Sequence, residues 1–90
     1  MISKTIAVLN PSGLHARPAS VFVQTLSKFQ SSAEFTKDGE DYNAKSIVDL
    51  LMACVKCNDV IELRIDGEDE EEAMETILQA VSTGLGEELA

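Results

Sequence analysis

The spacing of apolar and polar positions changes period several times along the chain. From Thr5 to Leu9, β-branched and apolar residues run together as in a strand. Asn10, Pro11, Ser12 and Gly13 follow as turn chemistry, because proline fixes φ and glycine frees it. Ala19, Phe22, Val23, Leu26 and Phe29 then recur at helical spacing on one face. Ala33 and Phe35 alternate with polar neighbours, predicting a second strand. Asp38-Gly39 is the signal of a two-residue hairpin turn, so a short third strand is expected over Glu40 to Asn43.

Ser46 opens a compact apolar helix that offers Ile47, Val48, Leu50, Leu51 and Val55 for packing. Ser46 and Asp49 have the spacing of a capping box, in which each side chain satisfies a backbone N–H of the first turn. Asn58 and Asp59 form a turn. Ile61, Leu63 and Ile65 alternate with Glu62 and Arg64, predicting a strand with one buried and one wet face. The last helix runs from near Asp69 to near Thr83, with Ala73, Ile77, Ala80 and Val81 inward. Its acidic start, Glu68 to Glu72, reads as a solvated helix N-terminus, where each carboxylate is favoured by up to ~1 kcal/mol. Gly84 and Leu85 read as a helix C-terminal cap with its apolar contact. The order β-α-β-β-α-β-α gives an α+β fold: an open-faced sandwich of a four-stranded antiparallel sheet with three helices on one face.

The chain has 90 residues, one domain's worth, so residues 1–90 are read as a single domain. Sixteen acidic residues against seven basic ones give a net charge of -9. That balance argues against nucleic-acid binding, which depends on neutralising phosphates with Lys and Arg. It argues equally against anionic membranes. No apolar run approaches the ~20 residues that span a bilayer, and the N-terminus lacks a secretory pattern. A cytoplasmic protein without membrane insertion is expected. Cys54 and Cys57 are too few for a structural zinc site, which takes about four ligands. They are expected to be reduced thiols, with Cys54 partly buried. No metal or cofactor is expected.

The single histidine stands in Gly13-Leu14-His15-Ala16-Arg17-Pro18, between the first strand and the first helix. That position places it at or beside the helix N-cap. The first amides of a helix lack intrahelical partners, and with the dipole they make an anion site. Arg17 adds a planar fork suited to phosphate oxygens. Pro18 lies where a missing N–H costs nothing. The same positive potential favours a neutral imidazole, leaving a ring nitrogen as nucleophile. A plain capping or surface histidine fits the same residues. The sequence places no second acid–base residue beside His15, which argues against a self-contained enzyme.

Two further stretches join this one. Gly13-Leu14-His15-Ala16-Arg17-Pro18-Ala19 with Phe22-Val23-Gln24, then Asn43-Ala44-Lys45-Ser46-Ile47, then Gly67 to Ala73, together resemble the HPr family. These are the histidine-containing phosphocarriers of the bacterial phosphoenolpyruvate:sugar phosphotransferase system. The resemblance covers essentially the whole chain. It implies that His15 accepts a phosphoryl group on Nδ1 from enzyme I and passes it to IIA domains of sugar permeases. It implies that Arg17 contacts that group, with Ala16 and Pro18 supporting the anion site. Ser46 matches a serine phosphorylated by HPr kinase/phosphorylase, whose product binds a catabolite-control repressor. Ile47, Val48 and Leu51 match the partner-docking patch. The implied protein is a monomeric carrier and not an enzyme; the alternative is a regulatory paralogue in catabolite repression or a non-sugar phosphorelay. The chain departs from the family pattern at Asp49, Cys54 and Asn58, where glycines are usual, at Val48 and Leu51, where methionines are usual, and at Gln24.

Overall fold

A computed structural model describes residues 1–11 and 13–86. Seven elements follow the expected order: β1 (Ile2–Ala7), α1 (Ala16–Ser27), β2 (Ser32–Lys37), β3 (Glu40–Asn43), α2 (Ile47–Met52), β4 (Val60–Asp66) and α3 (Glu70–Ser82). The strands form one antiparallel sheet in the order β1-β4-β2-β3. The alternation in β4 decides which face is covered. Ile61, Leu63 and Ile65 are buried beneath the helices, while Glu62 and Arg64 lie on the open face. Register carries that face across the sheet, with Ile6 opposite Ile61 and Phe35 opposite both Leu63 and Tyr42. Phe22 and Leu26 of α1 and Ile77 of α3 complete the core.

The turn chemistry is met in detail. Asp38 and Gly39 both take positive φ, 52° and 82°, the geometry a two-residue hairpin requires. At the end of α3, the Leu85 N–H donates to the Ala80 carbonyl at 3.0 Å and the Gly84 N–H to Val81 at 3.1 Å. That pair is a Schellman cap, and Leu85 is buried as its apolar contact.

The bounds of two elements and the burial of some side chains differ from expectation. β1 covers Ile2–Ala7 rather than starting at Thr5, because β4 supplies ladder partners as far as Ile65 opposite Ile2. Polar Ser3 and Thr5 fit there because their side chains point to the wet face. α2 is six residues long and ends before Val55. Cys54 turns the chain with φ at 52°, and Val55 enters the core as irregular chain beyond the helix. The same turn carries Cys54 outward, so its thiol is exposed rather than partly buried; Cys57 is also exposed, and both are free. The inner face of α3 gains Met74, which is buried, while Ala80 is half-buried. Ser12, assigned to the first turn, lies outside the described residues.

Candidate functional site

Gly13 sets the approach to the site. Its φ is 71°, and a β-carbon there would meet the Val55 carbonyl oxygen at 2.2 Å and Lys56 Cα at 2.7 Å. Only glycine lets the loop lie this close to the segment after α2. The contact is tied by the Leu14 N–H donating to the Val55 carbonyl at 2.9 Å, and Leu14 is buried. The next residue, His15, is therefore held from behind while its own side chain stays exposed.

His15 is the N-cap of α1, in extended backbone geometry, and its side chain makes no capping bond to the helix. Its carbonyl accepts the Ala19 N–H at 2.8 Å, the first bond of the helix. The amides of Ala16 and Arg17 precede that bond and have no carbonyl one turn back to use. Pro18 has no N–H, so its place in the first turn leaves no orphan donor. Pro18 and Ala19 are buried and anchor the helix start, while Ala16 and Arg17 are exposed. A helix of twelve residues thus has His15 at its cap and exposed Arg17 in its first turn, at the positive end of its dipole, although Arg17 does not line the depression beside His15.

The second wall comes from α2. His15 shares an open depression of about 210 Å³ with Leu14, Leu51, Cys54, Val55 and Lys56. Two lysines fix α2 in place. The Lys37 ammonium donates to the carbonyls of Ala53 and Cys54 at 2.9 and 3.1 Å, closing the C-terminal end of α2 onto β2. The Lys45 ammonium donates to the Phe29 carbonyl at 2.8 Å, joining the approach to α2 with the end of α1. Both place a cation on carbonyls at a helix end, the favourable pole of the dipole.

Only Leu50 of α2 is buried; Ile47, Val48, Leu51 and Met52 are exposed. The three residues expected to form a docking patch therefore do face outward, and Leu51 reaches the His15 depression directly. Met52, 67% exposed, belongs to the same face, although it is not among the three residues that the resemblance points to. Its position one turn from Val48 is the signal that would have found it. Cys54 and Lys56 also line the depression, yet nothing in their spacing from His15 gives that away. A larger depression, about 610 Å³, lies at the β2–β3 edge of the sheet among Ser32, Glu34, Asp41 and Asn43 and holds none of these residues.

Ser46 does not line the His15 depression. It is the N-cap of α2, and its Oγ accepts the Asp49 N–H at 3.2 Å. The Asp49 carboxylate answers with two contacts, accepting the Ser46 hydroxyl at 3.5 Å and the Asn43 N–H at 2.8 Å. Only the forward half of the expected capping box forms: the Ser46 N–H donates instead to the Asn43 carbonyl at 3.1 Å, and the Asp49 carboxylate reaches past it to the end of β3.

Comparisons with known proteins agree on one group. Residues 2–83 match the family model described as the PTS HPr component phosphorylation site. The phosphocarrier protein HPr of Neisseria meningitidis is 40% identical over 87 residues, which is 97% of this chain and 98% of that protein. A crystal structure of an HPr from Thermoanaerobacter tengcongensis superposes with a TM-score of 0.94 at 44% identity, covering 99% of this chain and 100% of the other. Crh, the Bacillus subtilis catabolite repression containing protein, superposes with a TM-score of 0.73 at 38% identity, covering 93% and 97%. That Crh structure is a swapped dimer, so the expectation of a monomer does not hold across the relatives of this chain. Among the described residues no helix is long and apolar enough to cross a membrane.

Proposed function

The chain belongs to the HPr family of phosphocarrier proteins, and we propose that it carries its phosphoryl group on Nδ1 of His15. The observation that carries this reading is the exposed imidazole at the N-cap of α1, beside amides with no intrahelical partner. In the step, the lone pair of neutral Nδ1 attacks phosphorus, and the bond from phosphorus to its carrier atom on phosphorylated enzyme I breaks, that atom keeping the bonding pair. The phosphoryl group then faces the Ala16 and Arg17 amides and the positive end of the helix. Arg17 reaches it with a guanidinium that remains charged throughout. Reversal of the same step delivers the group to a IIA domain.

The shallowness of the site supports a carrier over an enzyme. The His15 depression is open, so a partner supplies the missing walls and leaves with the phosphoryl group. Exposed Ile47, Val48, Leu51 and Met52 beside it give an apolar surface for such docking. Ser46, half-buried at the rim of that surface, is the proposed regulatory acceptor for HPr kinase/phosphorylase and, when modified, the contact for a catabolite-control repressor. The likeness to Crh favours a second reading, a regulatory relative whose output is catabolite repression. A chase distinguishes the two. Label placed on the protein by enzyme I and labelled phosphoenolpyruvate is expected to pass to a purified IIA domain within seconds. Retention of the label on the protein would favour the regulatory reading.

A further inference from the structure

The regulatory reading of Ser46 leaves open what controls access to its hydroxyl, and the inference below rests on that reading. The acceptor oxygen is already engaged twice by one residue. Oγ takes the Asp49 N–H at 3.2 Å and donates toward the Asp49 carboxylate at 3.5 Å. The carboxylate cannot swing away freely, because its second oxygen holds the Asn43 N–H at 2.8 Å. Both residues are half-buried. Lys45, the adjacent cation in sequence, directs its ammonium to the Phe29 carbonyl at 2.8 Å.

We propose that Asp49 restrains phosphorylation of Ser46 by holding a fixed negative charge against the acceptor oxygen. In the reaction, Ser46 Oγ bonds to the γ-phosphorus of a nucleoside triphosphate and the bond to the β,γ-bridging oxygen breaks. The hydroxyl proton passes to a base of the kinase, and the nucleoside diphosphate leaves. Asp49 loses the hydroxyl hydrogen bond and gains a neighbour carrying a charge of about -1.5 to -2. Even with water-like screening, a dianion at such a distance from a carboxylate is disfavoured by roughly tenfold or more. A serine at a short helix start would otherwise receive the phosphate without such a penalty.

The test compares initial rates of Ser46 phosphorylation by HPr kinase/phosphorylase and ATP in the native chain, Asp49→Asn and Asp49→Gly, read by intact mass. Asp49→Asn keeps the shape and an acceptor for the Asn43 N–H while removing the charge. It is expected to react about tenfold faster or more, and Ser46→Ala is expected to take no phosphate. Melting of each variant is measured alongside, and phosphorylation should lower the melting temperature more in the native chain than in Asp49→Asn. Equal, rapid rates in native and Asn chains would overturn the restraint while leaving Ser46 as an acceptor. Absence of phosphate from every variant would overturn both. Labelling of His15 by enzyme I, run in parallel, reads the carrier function separately.

Discussion

At the scale of single residues, the site divides into groups that react and groups that hold the reactive ones in place. Arg17 is exposed and outside the core, so replacing it tests chemistry with little effect on folding. Arg17→Ala is expected to slow phosphoryl transfer by about 10- to 100-fold, the worth of a charge-assisted hydrogen bond. Quench-flow transfer rates would show it, with an unchanged melting temperature. Gly13 is of the second kind. Gly13→Ala forces a β-carbon onto the Val55 carbonyl at a positive φ, and a loss of about 2 kcal/mol is expected in urea unfolding. Cys54 takes positive φ with a side chain that disfavours it. Cys54→Gly should therefore stabilise the fold by about 1 kcal/mol, and a fall in melting temperature would contradict this. The sequence exposed His15, Arg17 and Gly13 through their types and order. It could not show that Cys54 and Lys56 line the same depression, because that contact depends on how α2 ends.

At the scale of elements, α2 joins structure to recognition. A six-residue helix is too short to persist alone. It is held by Ser46 and Asp49 at one end, Lys37 at the other, and Leu50 beneath. Ser46→Ala removes the cap acceptor for the Asp49 N–H, and a cost of about 1 kcal/mol is expected by chemical denaturation. The apolar pattern of α2 states a helix but not which way it faces; the outward placement of Ile47, Val48 and Leu51 follows only from the family resemblance. An apolar stretch reads as core, and Val55 does reach the core, though past the end of the helix. Ile47, Val48, Leu51 and Met52 remain exposed because α2 touches the rest of the molecule mainly through Leu50. A pattern rule assigns apolar residues to the interior, so exposed ones serving a partner escape it. The strands were easier. Alternation in β4 and the Asp38-Gly39 turn state both the face and the pairing.

At the scale of the whole molecule, the turn between α1 and β2 and the start of α3 are tied together by Asp69. Its carboxylate accepts the Ser31 hydroxyl, the Gln30 N–H at 2.8 Å and the Ser31 N–H at 2.9 Å. These bonds, the Ser31 hydroxyl foremost and then the Gln30 amide, hold the carboxyl below the ordinary aspartate range. A group depressed in the folded state stabilises the fold above its unfolded value, ~3.9, and that stability is lost as the pH falls through the lower folded value. The melting temperature is therefore expected to drop as acid is added below about pH 4, and Asp69→Asn should flatten that part of the profile. An unchanged slope in the variant would show that other carboxylates govern the acid limb. The sequence does not reveal this tie, because Asp69 stands there as one more acid at a helix start and its partners lie 38 and 39 positions away.

The fold brings an exposed imidazole, a helix start and an apolar ridge into one open surface, and the phosphate is expected on that imidazole. The direct measurement is incorporation of label from phosphoenolpyruvate and enzyme I into the native chain and into His15→Ala, with acid lability of the product. One acid-labile phosphate per native chain and none in the variant is the expected result. Label that survives acid, or that persists in His15→Ala, would place the phosphate on another residue.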